Sequence, residues 1–165
     1  MVNITDNVIR ILKDILMKHN FTIKYLPDND IVAFKDLKPI GLKKRKIFFY
    51  ITSVDKLTLD IVKKINKKFN KHKPGGIRTF FYYNVVIVTR DFEIDALRFV
   101  REKMTEVWNV EAAFTWNVLA SSYTKVTHIF DTSRQTLLYP YDYEDMKTLM
   151  HPEVIKIIEE LLERI

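Results

Sequence analysis

The sequence predicts an α/β fold, a mixed sheet flanked by helices, and three stretches carry that prediction. Ile47-Phe-Phe-Tyr-Ile51 is an apolar run of strand length with no polar interruption beyond a tyrosine hydroxyl, as in a central strand covered on both faces. Residues 56–71 then place apolar side chains at helical spacing. Val85-Val-Ile-Val88 reads as a second buried strand whose end opens another helix at Glu93. Strand, helix, strand, helix in that order requires a sheet with helices packed on it.

Taken from the start, residues 5–19 form an amphipathic helix with Val8, Leu12, Ile15, Leu16 and His19 on one stripe. Thr5 suits its N-cap, and Asn20 the left-handed position after its end. His19 is a favourable partner for the helix dipole. Phe21 to Leu26 alternates as a half-exposed strand, Pro27 to Asp30 makes a turn, and Ile31 to Phe34 is a second strand. Lys35 to Lys46, with Pro39 and Gly41, reads as a hairpin loop carrying the basic tip Lys43-Lys-Arg-Lys46.

In the next helix Ile61, Val62, Ile65 and Phe69 share one quadrant, and Lys63, Lys64, Lys67, Lys68 and Lys71 occupy the opposite face. Residues 72–78 break it. The helix from Glu93 turns Ile94, Leu97, Val100, Met104 and Val107 inward, with Trp108 capping that face. Residues 112–120 alternate at period two, and Lys125 to Phe130 and Thr136 to Tyr139 add strands around a turn at residues 131–134. Pro152 suits the first turn of a last helix, whose wide apolar stripe either packs deep or forms a subunit contact.

Composition sets the outer bounds. The 165 residues, 47% of them hydrophobic, suit one domain with a real core. No run is long enough to span a membrane and no signal-peptide pattern opens the chain, so the expected location is the cytoplasm, with no membrane partner. Zero cysteines exclude disulfides, thiolate metal sites and cysteine nucleophiles. The three glycines, Gly41, Gly75 and Gly76, build neither a G-x-x-x-x-G-K phosphate loop nor a G-x-G-x-x-G fingerprint. The four histidines are scattered without metal-ligand spacing, and there is no G-x-S-x-G elbow. The net charge of +6 is uneven: Lys43 to Arg78 holds twelve bases against two acids, whereas Asp142 to Ile165 holds seven acids against three bases. A basic middle of this kind points to a polyanionic partner or to charge-matched self-association.

The order helix, three strands, helix, strand, helix over residues 1–108, followed by a strand and helix extension over 109–165, resembles the restriction-endonuclease-like superfamily. It is most similar to its archaeal Holliday-junction resolvase branch. Asp30-Ile-Val-Ala is similar to the aspartate that opens the family's second strand, with Asp28 as the alternative, and Thr52-Ser53 to the residues that trail its (D/E)-x-K pair. The resemblance implies a site where two carboxylates hold magnesium against a phosphate and a lysine serves the attacking water. At the (D/E)-x-K positions this chain has Phe49 and Ile51, so the pair is missing. Migrated replacements would be Asp36, Asp55 or Asp60, with Lys46, Lys56 or Lys63 as the amine and Asp6 or Asp14 as a further acid.

The expected function is therefore nucleic-acid binding without catalysis, and with no cofactor. DNA is the first partner and RNA the second. Phosphates would meet Lys43, Lys44, Arg45 and Lys46 in the loop, Lys63, Lys64, Lys67, Lys68 and Lys71 on the helix, and Lys73 and Arg78 after it. Phe80-Phe-Tyr-Tyr83 would offer stacking, and the last helix a homodimer contact. Two alternatives stand beside this: a magnesium-dependent endonuclease using Asp30 with migrated residues, and a protein-interaction module of transcription or replication machinery.

Overall fold

The computed structural model describes residues 4–108, 122–140 and 143–165, so the alternating stretch 112–120 lies outside the described residues. It has an α/β architecture built on an open mixed sheet. In chain order the elements are α1 (Ile4–Lys18), β1 (Thr22–Tyr25), β2 (Ile31–Ile40), β3 (Lys43–Leu57), α2 (Leu59–His72), β4 (Thr79–Phe92) and α3 (Ile94–Lys103). There follow β5 (Glu106–Trp108), β6 (Ser122–Asp131), β7 (Thr136–Tyr139), the short α4 (Tyr143–Met146), a single 3-10 turn and α5 (Pro152–Arg164). The strands lie in the order β1-β2-β3-β4-β6-β5, and β7 pairs with β6 on the same edge as β5. β1, β2 and β3 form an antiparallel meander, whereas β3, β4 and β6 run parallel. A parallel pair needs a crossover, and α2 and α3 supply one each.

Strand alternation divides the core in two. Ile47, Phe49 and Ile51 of β3, with Val86 and Val88 of β4, meet α1 and α5 on one face. Phe48 and Tyr50, with Val85 and Ile87, meet α2 and α3 on the other. The five residues Ile47 to Ile51 are all buried, as expected of a central strand. On α2, Val62, Ile65 and Phe69 are buried, each worth about 1.5–3 kcal/mol of burial. Thr58 caps that helix, its hydroxyl accepting from the Ile61 N–H at 3.2 Å. Asn20 has the left-handed φ of 66° that the end of α1 requires.

Several expectations are corrected. The segment 35–46 is not a loop with a basic tip: β2 runs on to Ile40, β3 starts at Lys43, and only Gly41 and Leu42 form the turn. Lys43 to Lys46 therefore belong to a strand, held on one side by β2 and, from Lys44, by β4 on the other. The helix after β4 stops at Lys103, so Val107 falls on β5, and Ile94 stands exposed while Ala96 joins Leu97 and Val100 in the core. Trp108 likewise lies on β5. Phe80, Phe81 and Tyr83 are buried core residues of β4, which removes the base-stacking reading. The wide stripe of α5 is also spent inside the fold: Val154, Ile157, Ile158 and Leu161 are buried in the cluster that holds α1. The apolar surface that suggested a homodimer through this helix is thus covered by the chain itself.

Candidate nucleic-acid interface

Asp30 sits in the turn just before β2, and the antiparallel register that pairs Ile31 with Ile51 sets it opposite Thr52. Alternation then turns Tyr50 and Thr52 toward it and turns Phe49 and Ile51 away, into the α1/α5 core. The residues facing the aspartate are therefore Tyr50 and Thr52, and not Phe49 and Ile51.

Both hydroxyls donate to the carboxylate. Thr52 Oγ1 reaches Oδ1 at 2.6 Å and Tyr50 Oη reaches Oδ2. Lys68 of α2 closes the cluster, with Nζ 2.7 Å from Asp28 Oδ2 and 3.7 Å from Asp30 Oδ2. The hydrogen bond to Asp28 raises the Lys68 ammonium above its ordinary value, and the same bond holds Asp28 below the usual carboxylate range. Tyr50 is pushed far up by burial and by its bond to Asp30, so it stays a donor. His72 stacks on the Tyr50 ring at 6.2 Å. Asp30, 7% exposed, thus has both oxygens occupied by donors, and the position where a cation would sit against the two carboxylates is taken by Lys68.

The other acids do not converge on it. Asp36, six residues along β2, is about 20 Å away and pairs with Lys46 at 3.5 Å. Asp55 pairs with Arg90 at 3.6 Å, Lys56 with Asp91 at 3.9 Å, and Asp14 with Arg10 at 3.6 Å. Asp60 is exposed in the first turn of α2, with Lys63 beyond it, and Asp6 lines a cleft beside α1 that also takes in Asn29, Ile31 and Thr52, without a hydrogen bond to Asp30 among the described residues. Among the described residues no three of His, Asp and Glu form a group able to hold a metal ion.

The basic residues divide sharply. Lys68 is committed to Asp28 and Asp30, Lys46 to Asp36, and the Arg45 guanidinium to the Lys38 carbonyl at 3.0 Å. Lys43 is buried, which lowers its amine. Lys73 lies over the Phe69, Tyr83 and Tyr123 rings at 5.7 to 5.9 Å. Lys63, Lys64, Lys67 and Lys71 on α2, Lys44 at the start of β3 and Arg78 before β4 are exposed and make no ion pair among the described residues. Lys63, Lys67 and Lys71 repeat every fourth residue, about 6 Å apart along the axis, so they present a row of charge about 12 Å long. Because α2 crosses over between parallel strands, its C-terminal end, with Lys71, lies at the end of the sheet where β3 and β4 begin. Lys44 and Arg78 stand there, the Lys44 N–H donating to the Arg78 carbonyl at 2.8 Å.

Two buried titratable groups were invisible in the sequence pattern. Lys125, on β6 beneath α2, is 2% exposed; Nζ donates to Asn66 Oδ1 at 2.8 Å and lies 4.5 Å from the centre of the Phe69 ring. Burial lowers it to about 8. His128, wholly buried on the same strand, has Nε2 3.1 Å from Asn84 Oδ1 and Nδ1 without a partner, and burial lowers it to about 3. Each stands next to a threonine in a stretch that mixes polar and apolar residues, so nothing in the pattern marks them as buried. Comparison of the chain with protein-family models, with curated proteins and with solved structures finds no match.

Proposed function

We propose that the protein binds nucleic acid, DNA foremost, through phosphate contacts from the outer face of α2 and the adjoining starts of β3 and β4, and that it does not cut the strand. The observation that carries this reading is the row Lys63, Lys67 and Lys71 with Lys64 beside it, exposed and in no ion pair among the described residues, with Asp60 the one acid on the helix. Structural lysines in this chain find acids, as Lys35, Lys46, Lys56 and Lys68 do. A like-charged row at i,i+4 spacing costs helix stability unless something external neutralises it. Phosphates spaced along a strand are a fitting counter-charge.

Catalytic silence rests on the Asp30 cluster, in which two hydroxyl donors and the Lys68 ammonium already engage the carboxylate that magnesium would need. The helix, antiparallel meander, crossover helix and parallel strand of residues 4–92 support kinship with the restriction-endonuclease-like superfamily, as a member whose metal position is filled.

The test is binding to labelled duplex and branched DNA and to duplex RNA over a salt series, with magnesium and manganese present. With four to six of the free cations on phosphates, log affinity against log salt should fall with a slope of about −4 to −5, without cleavage products. Cleavage that disappears in Asp30→Ala would restore the nuclease. Absence of binding at low salt removes nucleic acid altogether and leaves α2 as a face for an acidic protein.

A further inference from the structure

On the face of the sheet that carries α2 and α3, both helices connect the parallel strands β3, β4 and β6, and the meander strands β1 and β2 lie to one side of them. Val32 and Phe34 of β2 nevertheless turn to that face, as Phe48 of β3 does. Phe34 and Phe48 are a cross-strand pair, so their rings stand side by side. Across from them are His72, the last residue of α2, and Pro74 just after it. Between these two walls is an open-mouthed cavity of about 360 Å³ with Leu26 beside it. Its walls are held in place by the fold: His72 stacks on the Tyr50 ring, and the Tyr83 hydroxyl donates to the Pro74 carbonyl. A concave, apolar and preformed space of this volume lies at the small end of the range of about 300–1,000 Å³ that small-molecule sites occupy.

The charge around it is one-sided. No acid is among its nine lining residues, whereas Lys24 of β1 and Lys46 of β3 flank it. Lys24 makes no ion pair among the described residues, and its ammonium lies 5.4 Å from the centre of the Phe34 ring that forms one wall. Lys46 pairs at 3.5 Å with Asp36, whose side chain is 78% exposed, a pair worth little that another carboxylate can replace. Aromatic walls fit a flat ring, and two ammonium groups at the mouth fit a negative charge attached to it. The space is too small for a folded partner, whose interface would cover on the order of 800 Å² of this chain.

We infer that this cavity binds a small aromatic carboxylate, its ring between Phe34 and Phe48 on one side and His72 and Pro74 on the other, its carboxylate held by Lys24 and Lys46. The site goes beyond the nucleic-acid reading above. It uses neither the outer lysine row of α2 nor the Asp30 cluster, and it stands or falls without nucleic acid present.

The experiment titrates the isotope-labelled full chain with benzoate, with benzyl alcohol (the ring without the charge) and with acetate (the charge without the ring), following amide shifts by NMR at constant pH. Benzoate should give saturable shifts confined to the neighbourhood of Val32, Phe34, Phe48 and His72, and the other two should bind at least about tenfold more weakly. Lys24→Gln/Lys46→Gln changes two side chains outside the core and should weaken benzoate by about tenfold. Its response to benzyl alcohol should match the parent's, which shows the cavity intact. Benzoate shifts that lie elsewhere, or that do not saturate by about 20 mM, overturn the site. Benzyl alcohol binding as well as benzoate, or a double variant that keeps its benzoate affinity, overturns the anionic ligand, and acetate matching benzoate reduces the effect to surface ion pairing. Adenosine monophosphate shifting the same residues where benzoate does not would overturn the carboxylate and give the cavity to a nucleobase.

Discussion

Replacing Asp30 with alanine separates a structural carboxylate from a catalytic one. In the folded chain the Asp30 carboxylate accepts from Tyr50, which is fully buried, and from Thr52, which is nearly so. Hydrogen bonds to a charged group are worth about 1.5–3 kcal/mol each, and alanine leaves both hydroxyls buried without an acceptor. Lys68 adds little to the sum, because it is half exposed and keeps Asp28. The expected loss is therefore about 3–5 kcal/mol, a large share of a domain's stability of roughly 5–15 kcal/mol. Urea unfolding followed by circular dichroism should show the midpoint falling by about 2 M, with Asp30→Asn, which keeps one acceptor, falling about half as far. A cycle with Tyr50→Phe should return a coupling above about 1 kcal/mol. A catalytic carboxylate behaves in the opposite way, since active-site groups are commonly held at a cost and their removal is neutral or stabilising. An Asp30→Ala protein within about 1 kcal/mol of the parent would refute the structural assignment and reopen the metal site.

The remaining predictions concern charge. Lys63→Ala/Lys67→Ala/Lys71→Ala should reduce the salt slope of DNA binding by about 2.7, at 0.9 per phosphate contact, while the unfolding midpoint stays put or rises as like-charge repulsion is removed; an unchanged slope would place the contacts elsewhere. Lys125 titrates at about 8 when folded against 10.5 when unfolded, so between those values the unfolded chain holds a proton that the folded chain has released. Stability should accordingly rise with pH from 8 to 9.5, by up to about 1.4 kcal/mol per unit, and Lys125→Met should flatten the part of that rise that the similarly buried Lys43 does not supply. His128, at about 3 when folded against 6.5, works on the acid side: below pH 6.5 the unfolded state gains a proton that the folded state refuses, and stability falls. His128→Leu/Asn84→Leu should lose that component of the slope between pH 6.5 and 5, measured by thermal unfolding at each pH, whatever its offset in stability.

How far the sequence reveals this molecule depends on which period each element obeys. Helical period is legible wherever a helix is surface-lying, so α1, α2 and α5 appear in the pattern with their buried stripes nearly correct. Strand length is not, because a strand covered on both faces loses alternation and its polar ends look like loops. Lys43 to Lys46 read as a basic loop for that reason, although the ladder with β2 and β4 holds them. Which residues of β3 face Asp30 is hidden for the same reason. In an unbroken apolar run nothing marks parity, and only the register against Asp30 reveals that Tyr50 and Thr52 are the facing pair. The exposure of Ile40, Leu42 and Ile77 was equally hidden, since in sequence they resemble core residues.

Charge counts mislead in a comparable way, and the correction sharpens the functional reading. Twelve bases between Lys43 and Arg78 suggest a diffuse positive middle. Pairing removes them selectively: Lys46 and Lys56 to neighbouring strand acids, Lys68 to the Asp28 and Asp30 cluster, Arg45 to a carbonyl, Lys43 to the core and Lys73 to a ring stack. The six left over are Lys44, Lys63, Lys64, Lys67, Lys71 and Arg78. They are not scattered but lie on one helix face and at the end of the sheet to which that helix points. Lys68 makes the argument strongest. It shares the α2 sequence pattern with its neighbours, yet it is the one lysine that turns inward to two carboxylates. One side of the helix thus closes on the Asp28 and Asp30 carboxylates while the other leaves a row of cations open, which is the feature the proposed phosphate binding relies on.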